Sequence, residues 1–175
     1  NKHPYNYIKQ TESITKAATM NNGKTSVTAG LINGAAWDRT LNWILETNNN
    51  MSLADITENS TSWGNYSNSK FNFTGKYSTN NGTNFTDVTT STEKPDNKRY
   101  LLGTGVTDYT KKNNIYDLAG NLQEWTLETA NTNEKICRGS NYDISGSPCM
   151  VSGYSTAVTA TENETGYRLM LYIKE

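Results

Sequence analysis

A chain of 175 residues has the length of one compact domain, so we predict a single domain over residues 1–175 that buries roughly 70% of its unfolded surface. The formal net charge is -1 and the lysines and arginines are scattered singly, which excludes the basic stripe that a nucleic acid or an anionic membrane binds. The mean hydropathy is -0.76, and no apolar run approaches the roughly 20 residues that cross a bilayer, which excludes membrane insertion by a helix.

The composition is rich in Asn and Thr, which is also typical of disordered chains. Against disorder, 11 tyrosines and 4 tryptophans are spread along the chain, so we predict a folded domain with long polar loops. Residues 1–10 lack the apolar core of a signal peptide. Because the sequence begins at Asn1 without a methionine, we expect it to be the C-terminal part of a longer protein.

The first predicted element is a short helix over residues 11–23. Thr11 or Ser13 is the expected N-cap, and Gly23 is expected to end the helix. A brief strand or turn follows at residues 26–32.

Residues 33–50 contain the clearest amphipathic pattern of the chain. The apolar side chains Trp37, Leu41 and Ile44 recur at helical spacing, which predicts a helix with one buried face. Trp37 lies on that face and is predicted to be a core residue. The position of Trp43 stays open.

The second half of the chain predicts short strands between long loops. Residues 60–95 have no helical period and are predicted to be extended loop with short strands, anchored by their aromatic side chains. Residues 165–175 alternate apolar and polar side chains, which predicts a half-buried terminal strand with Tyr167, Leu169, Leu171 and Ile173 facing inward. Helices followed by strands indicate the α+β class.

Four segments together resemble the formylglycine-generating enzyme (sulfatase-modifying factor) family, in the order in which that family has them. They are LINGAAWDRTLNWI (31–44), NIYDLAGNLQEWT (114–126), CRGSNYD (137–143) and TGYRLMLYI (165–173). The resemblance implies a C-type-lectin-like fold, with two helices around a small twisted antiparallel sheet and long irregular loops.

The segment 114–126 has an architectural role if the resemblance holds. Tyr116 and Trp125 would be core aromatic residues, Gly120 a backbone position of positive φ or close approach, and Asn121 and Glu124 buried polar groups that hold loops.

A calcium site is the functional alternative for the same segment. In some members of the family a cation is held at the positions that match Asp117, Gly120, Leu122 and Glu124, the glycine and the leucine through backbone carbonyls. Oxygen ligands with two carboxylates suit Ca²⁺. Apart from this structural calcium, we expect no cofactor.

The catalytic residues of the family are not matched. Its oxidase chemistry needs two neighbouring cysteines followed by arginines, whereas this chain has only Cys137 and Cys149, twelve residues apart. These two cysteines are either buried thiols or a surface disulfide. A related branch holds iron with three histidines, and His3 is the single histidine here. The calcium-binding triplets of sugar-binding C-type lectins are also missing from the sequence. We therefore predict that the chain is not an enzyme.

A lectin-like scaffold without the enzyme resembles the variable proteins of diversity-generating retroelements in bacteria and their phages. In those proteins the changeable binding surface lies between the RGG segment and the final strand, which corresponds here to residues 140–165. Tyrosines with small polar residues suit adaptable recognition. The predicted ligand-binding residues are Ser140, Asn141, Tyr142, Asp143, Ser145, Ser147, Met150, Ser152, Tyr154 and Thr156.

The resemblance implies a receptor or adhesin that binds a protein or a glycan on a target surface, displayed on a phage virion or a bacterial cell surface. An ordinary solvent loop is the plain alternative for residues 140–165. Two other functions stay open: a divergent oxidase of the formylglycine-generating type, and a structural module of a phage tail or cell-surface protein. The sequence leaves the ligand and the oligomeric state undetermined.

Overall fold

Three helices lie in the first third of the chain. The protein is seen in a computed structural model that describes residues 2–21, 23–147, 151 and 161–173, and the backbone of 155–158. The helices are α1 (Gln10–Ala18), α2 (Gly34–Thr47) and α3 (Leu53–Thr57), and a single 3-10 turn follows at Asp108–Thr110. Within these described ranges, no helix is long and apolar enough to cross a bilayer. The sequence predicted α1 and α2, and α3 is an additional short helix.

The start of α1 differs from the prediction. Lys9 occupies the N-cap position, and its amide donates to the Glu12 carboxylate at 3.3 Å. Ser13 is buried, and its hydroxyl donates to the Lys9 carbonyl at 3.0 Å. The prediction of Thr11 or Ser13 as the cap is therefore wrong, because Glu12 already accepts from the first free amide. The helix also ends at Ala18, before Gly23.

The amphipathic helix α2 is confirmed. Asn33 caps it by accepting a hydrogen bond from the Ala36 amide at 2.8 Å. Trp37 is fully buried in the largest core cluster, and its indole N–H donates to the Val151 carbonyl at 3.0 Å. Trp43 is 45% exposed and lies on the solvent side. The apolar stripe of α2 thus forms one wall of the core.

The part of the chain that the structure describes contains eleven short strands in four small sheets. The strands are β1 (Val27–Leu31), β2 (Phe71–Ser78), β3 (Thr86–Lys94), β4 (Leu101–Leu102), β5 (Lys111–Lys112), β6 (Ile115–Tyr116), β7 (Gln123–Thr129), β8 (Glu134–Arg138), β9 (Ser155–Val158), β10 (Thr165–Tyr167) and β11 (Leu169–Ile173). The sheets have the orders β10-β7-β8-β9, β3-β2-β4, β1-β11 and β5-β6. The α+β class is confirmed. The sheets are antiparallel as predicted except for β10, which pairs with β7 in parallel.

Residues 60–95 are more regular than predicted. β2 and β3 form a long antiparallel hairpin with an irregularity between Phe73 and Gly75. Phe71 and Phe73 are buried on one face of β2 and pack in a core cluster of their own. Strands and buried aromatic side chains are present as predicted, but the strands are longer than expected. Their length was missed because β3 consists mainly of exposed polar residues, which show no apolar alternation.

The predicted terminal strand is divided in two. β10 pairs with β7 and β11 pairs with β1, and Arg168 stands between them with its side chain on Glu124. Leu171 and Ile173, which were predicted to face inward, are 55% and 85% exposed. The prediction of a half-buried strand is therefore wrong beyond Leu169, because β11 leaves the core as it extends.

The segment 114–126 largely has the predicted architecture. Trp125 is 1% exposed, and its indole N–H donates to the Ile8 carbonyl at 2.8 Å. Gly120 has a φ of +71°, and a Cβ there would lie 2.2 Å from the Asn65 carbonyl oxygen, so the backbone position requires glycine. The core prediction is wrong for Tyr116, which is half-buried because its ring lines an open cleft.

Candidate functional site

The predicted binding segment follows β8 and begins inside the protein. Ser140, Asn141 and Tyr142 are 6%, 8% and 1% exposed, and Ser140 has a left-handed φ of +63°. The Tyr142 hydroxyl lies 3.0 Å from Asn81 Oδ1, to which it donates, and accepts from Asn163 Nδ2 at 3.0 Å. The structure therefore corrects the expectation that these three residues face a ligand. They form a buried base for the residues that follow.

The accessible part of the segment comes next and is called the exposed rim: Asp143, Ile144, Ser145 and Ser147. The Asp143 carboxylate forms a 3.0 Å ion pair with Arg99, whose side chain is 66% exposed. Ile144 is 44% exposed, and the Ser145 hydroxyl donates to the Ser147 carbonyl at 2.8 Å. Sequence reasoning missed Ile144, although a single large apolar residue in a polar loop is a usable signal.

The other predicted contact residues lie beyond this rim. Met150, Ser152 and Tyr154 are outside the described residues. Thr156 lies in β9, where it pairs with Ile136 of β8. These four residues stay predictions.

A turn of residues 60–69, called the supporting turn, holds the segment in place. The Ser67 amide donates to the Ile144 carbonyl at 2.9 Å, and the Ser60 amide donates to the Gly146 carbonyl at 3.0 Å. Because both bonds join segments far apart in sequence, they fix the rim to the body of the protein.

Lys94 holds the supporting turn from inside. Its Nζ donates to the carbonyls of Tyr66 and Ser69 at 2.7 Å each and approaches the Ser67 carbonyl at 3.4 Å. The side chain is completely buried, and desolvation lowers its pKa to about 8. Sequence reasoning missed Lys94, since nothing in the sequence distinguishes it from the exposed lysines.

Glu124, within the segment 114–126, forms a largely buried ion pair with Arg168. Arg168 Nε and Nη2 donate to the two carboxylate oxygens of Glu124 at 2.8 and 2.9 Å. The same Nη2 donates to the Tyr116 carbonyl at 2.9 Å. The prediction that Glu124 is a buried polar group that holds loops is confirmed, as it is for Asn121, which accepts from the Leu102 amide at 2.9 Å.

Asp117 lies beside this pair and is 7% exposed. Its Oδ1 accepts from the Thr110 hydroxyl at 2.7 Å, whereas its Oδ2 has no hydrogen-bond partner among the described residues. Burial raises the pKa of Asp117, and the Thr110 hydroxyl, the charge of Arg168 and the Gly105 amide act in the opposite direction. A charged Asp117 would thus have one uncompensated oxygen.

The calcium ligand set does not fit this arrangement. Both carboxylate oxygens of Glu124 accept hydrogen bonds from Arg168, so Asp117 is the one carboxylate of the proposed ligand set with an unpaired oxygen. Calcium takes 6–8 oxygen ligands, and here a guanidinium already supplies the positive charge. Across the residues that the structure describes, no three His, Cys, Asp or Glu side chains converge on one point. We therefore derive no role for calcium.

Cys137 is a free and buried thiol in β8. Burial raises the pKa of this thiol, and the charges of Glu162 and Glu124 raise it further. The structure supports the buried-thiol alternative for Cys137, and Cys149 lies outside the described residues. His3 is exposed at the N-terminus and stacks on Phe85 with a ring separation of 4.0 Å.

Comparisons with known proteins support the fold. No family model and no curated protein matches the sequence. The crystal structure of CarF aligns with 99% of this chain and 69% of its own, at a TM-score of 0.56 and 13% identity. A Treponema denticola structure, variable protein 1, aligns with 84% of this chain and 48% of its own, at a TM-score of 0.47 and 15% identity. At this level of identity the likeness to CarF concerns the fold alone.

Proposed function

We propose that this chain is a non-enzymatic ligand-binding domain on a C-type-lectin-like scaffold, of the kind that diversity-generating retroelements vary. Its ligand is a protein or a glycan on a target surface, and its site of display is a phage virion or a bacterial cell surface. The observation that carries the proposal is the exposed rim, which follows a buried base and is bonded to the supporting turn. Binding residues commonly occupy such loops on a rigid scaffold.

The chemistry of the rim suits recognition by complementarity. Asp143 offers a carboxylate, Ser145 and Ser147 offer hydroxyls, and Ile144 offers an exposed apolar side chain. Small polar residues such as serine supply hydrogen bonds that adapt to a partner. A ligand that pairs with Asp143 must share it with Arg99 or displace that side chain.

The state of Cys137 supports binding over oxidation. Cysteine nucleophiles and thiolate metal ligands are accessible and have a lowered pKa, whereas Cys137 is 1% exposed and burial raises its pKa. An oxygen-consumption assay with copper and a cysteine-containing sulfatase peptide tests the oxidase alternative. Turnover that Cys149→Ser abolishes would overturn the proposal.

The proposal is tested with two libraries on the same scaffold. The first varies Asp143, Ile144, Ser145 and Ser147, and the second varies the buried Ser140, Asn141 and Tyr142. Both are selected for binding to hen egg lysozyme as a model protein target. We expect rim variants to keep the melting temperature of the parent and to yield binders, because their side chains are not needed by the core.

The buried library is the matched control. Its members should melt at lower temperature and yield no folded binders, because they lose packing and hydrogen bonds beneath the rim. If rim variants unfold as often as buried variants do, or if no folded rim variant binds, the rim is not a recognition surface.

A further inference from the structure

A concave site lies next to the Glu124 and Arg168 pair, and no residue of the exposed rim lines it. It is a cleft of about 400 Å³, and its lining includes three tyrosines, Tyr5, Tyr116 and Tyr167. The rings of Tyr5 and Tyr167 meet edge to face, with centroids 6.1 Å apart and planes at 72°. The cleft therefore has aromatic walls that stand nearly at right angles.

The charge of the cleft is set by Asp117. Arg168 and Glu124, which also line the cleft, compensate each other through their two hydrogen bonds. Asp117 lines it as well and is 93% buried, since 7% of it is exposed, and its Oδ2 lacks a partner among the described residues. A buried acceptor without a donor is unfavourable, so this oxygen favours a ligand that brings a positively charged N–H group.

The tyrosine rings of this region already contact ammonium groups on the protein. Lys16 Nζ lies 5.0 Å from the centre of the Tyr5 ring, and Lys111 Nζ lies 5.7 Å from that of Tyr116. Neither lysine lines the cleft, and Lys111 is paired with Asp108 at 2.7 Å. Ring faces of tyrosine attract cations through their negative electrostatic potential.

We propose that the cleft binds a primary alkylammonium group, with Asp117 Oδ2 as the charged acceptor and the three tyrosines as the walls. A single carboxylate with one unpaired oxygen matches one positive charge, whereas calcium prefers six to eight oxygen ligands. An anion would meet the unpaired Oδ2 of Asp117, since Arg168 is already paired with Glu124. The source of the group is either a free amine or a lysine side chain of a protein ligand. This site does not depend on the rim.

The test uses n-butylammonium chloride, followed by NMR chemical shifts at about pH 8, where a primary amine is charged. We expect saturable shifts in the cleft residues with a dissociation constant on the order of millimolar, as is usual for a ligand of this size. The neutral 1-butanol should give no saturable shifts. Equal binding of 1-butanol, or no binding of n-butylammonium, would overturn the proposal.

Two variants assign the binding to named side chains. Asp117→Asn removes the charge and should weaken n-butylammonium at least tenfold, and Tyr5→Leu removes one wall at a 54% exposed position and should weaken it several-fold. Asp143→Asn, on the rim, is the control and should change nothing. If Asp117→Asn does not fold, the test rests on Tyr5→Leu. An unchanged affinity of the folded Tyr5→Leu protein for n-butylammonium would contradict the proposed site.

The source of the ammonium group is separated with two peptides. A short acetylated peptide with one central lysine should bind the cleft at least as tightly as n-butylammonium if a protein lysine is the natural group, and its acetyl-lysine counterpart should not bind. Binding of the free amine but not of the lysine peptide would assign the cleft to small amines. A negative result for the cleft would not change the expected result of the rim libraries, so the cleft proposal and the proposed function can be rejected independently.

Discussion

Arg168 contacts both carboxylate oxygens of Glu124, at 2.8 and 2.9 Å. Because Arg168 lies between β10 and β11 and Glu124 lies in β7, the pair ties the chain to β7 at the point where β10 ends. The side chains are 26% and 10% exposed, which makes this pair far less accessible to water than the surface pair of Lys70 and Glu93. Pairing through two parallel hydrogen bonds fixes the orientation of both groups. The C-terminal strand is thereby held to the central sheet by a charge pair.

Removal of one partner should be costly. In Glu124→Gln the Arg168 charge stays buried without its counter-ion, so we expect the free energy of unfolding to fall by about 3–5 kcal/mol. Urea unfolding followed by tryptophan fluorescence measures it. Glu93→Gln, in the exposed pair, is the control and should cost about 1 kcal/mol or less. Similar losses in the two variants would show that the buried pair has no special role.

Replacement of Lys94 should loosen the supporting turn. Lys94→Met removes a donor from the Ser69 carbonyl and leaves the Tyr66 carbonyl with the Ser69 amide as its donor, and a buried group that becomes unsatisfied costs about 1–3 kcal/mol. We also expect faster hydrogen exchange at the Ser67 amide, which bonds to the rim. The exposed Lys98→Met is the matched control. Unchanged exchange at Ser67 in Lys94→Met would show that the turn holds its shape without the lysine.

The pH dependence of stability should carry a signature of Lys94. Its pKa is about 8 in the folded chain, and the ordinary value is 10.5. Between these values the unfolded chain binds more protons than the folded chain, so the contribution of Lys94 to the free energy of unfolding rises with pH. Below about pH 8 both states are protonated and its contribution is constant.

The signature is measured as the difference in unfolding free energy between the parent and Lys94→Met. Subtraction is needed because burial raises the pKa of Tyr142 to about 12, which makes the stability of both proteins fall above the ordinary tyrosine value of 10.0. We expect the difference to be flat up to about pH 8 and to move in favour of the parent from there to about pH 10. A difference that stays flat throughout would mean that the three carbonyls keep Lys94 charged.

Tyr142 should act as a support and not as a contact residue. Tyr142→Phe keeps the ring but removes the hydroxyl between Asn81 and Asn163, and we expect a loss of about 1–3 kcal/mol in the free energy of unfolding. Binders selected on the rim should keep their affinity once the variant is folded. Tyr172→Phe, at a 43% exposed position, is the control and should cost little. A large loss of affinity without loss of stability would show that Tyr142 contacts the ligand.

The elements that the sequence predicted well are those whose burial follows a simple period. The stripe of α2 places Trp37 inside, and the motif around Trp125 has its tryptophan and its glycine where the resemblance implied. Local pattern was insufficient where exposed polar residues form a regular strand, as in β3. It was also insufficient at Arg168, where the strand changes its partner, because the choice of partner is a tertiary property.

The candidate site was predictable in position but not in detail. The order of the motifs located the segment after β8, yet its composition gave no indication that Tyr142 turns inward while Ile144 turns outward. That difference arises from the left-handed Ser140 and from the bonds to the supporting turn, which lies some eighty residues earlier in the chain. The role of Lys94 could not be predicted from the sequence for the same reason, because its acceptors are carbonyls of a turn that is distant in the chain.

The bonds from the Ser67 amide to the Ile144 carbonyl and from the Ser60 amide to the Gly146 carbonyl use main-chain atoms on both sides. A third bond runs from the Gly146 amide to Asn68 Oδ1, so the segment contributes a main-chain atom to each of the three. Attachment is therefore indifferent to which side chains occupy 143, 144, 145 and 147, whereas Gly146 must stay, because a Cβ there would lie 2.6 Å from the Tyr66 ring. The main-chain atoms that attach the segment are thus separate from the side chains that we propose to bind a ligand, so substitutions at these four positions should leave the fold intact.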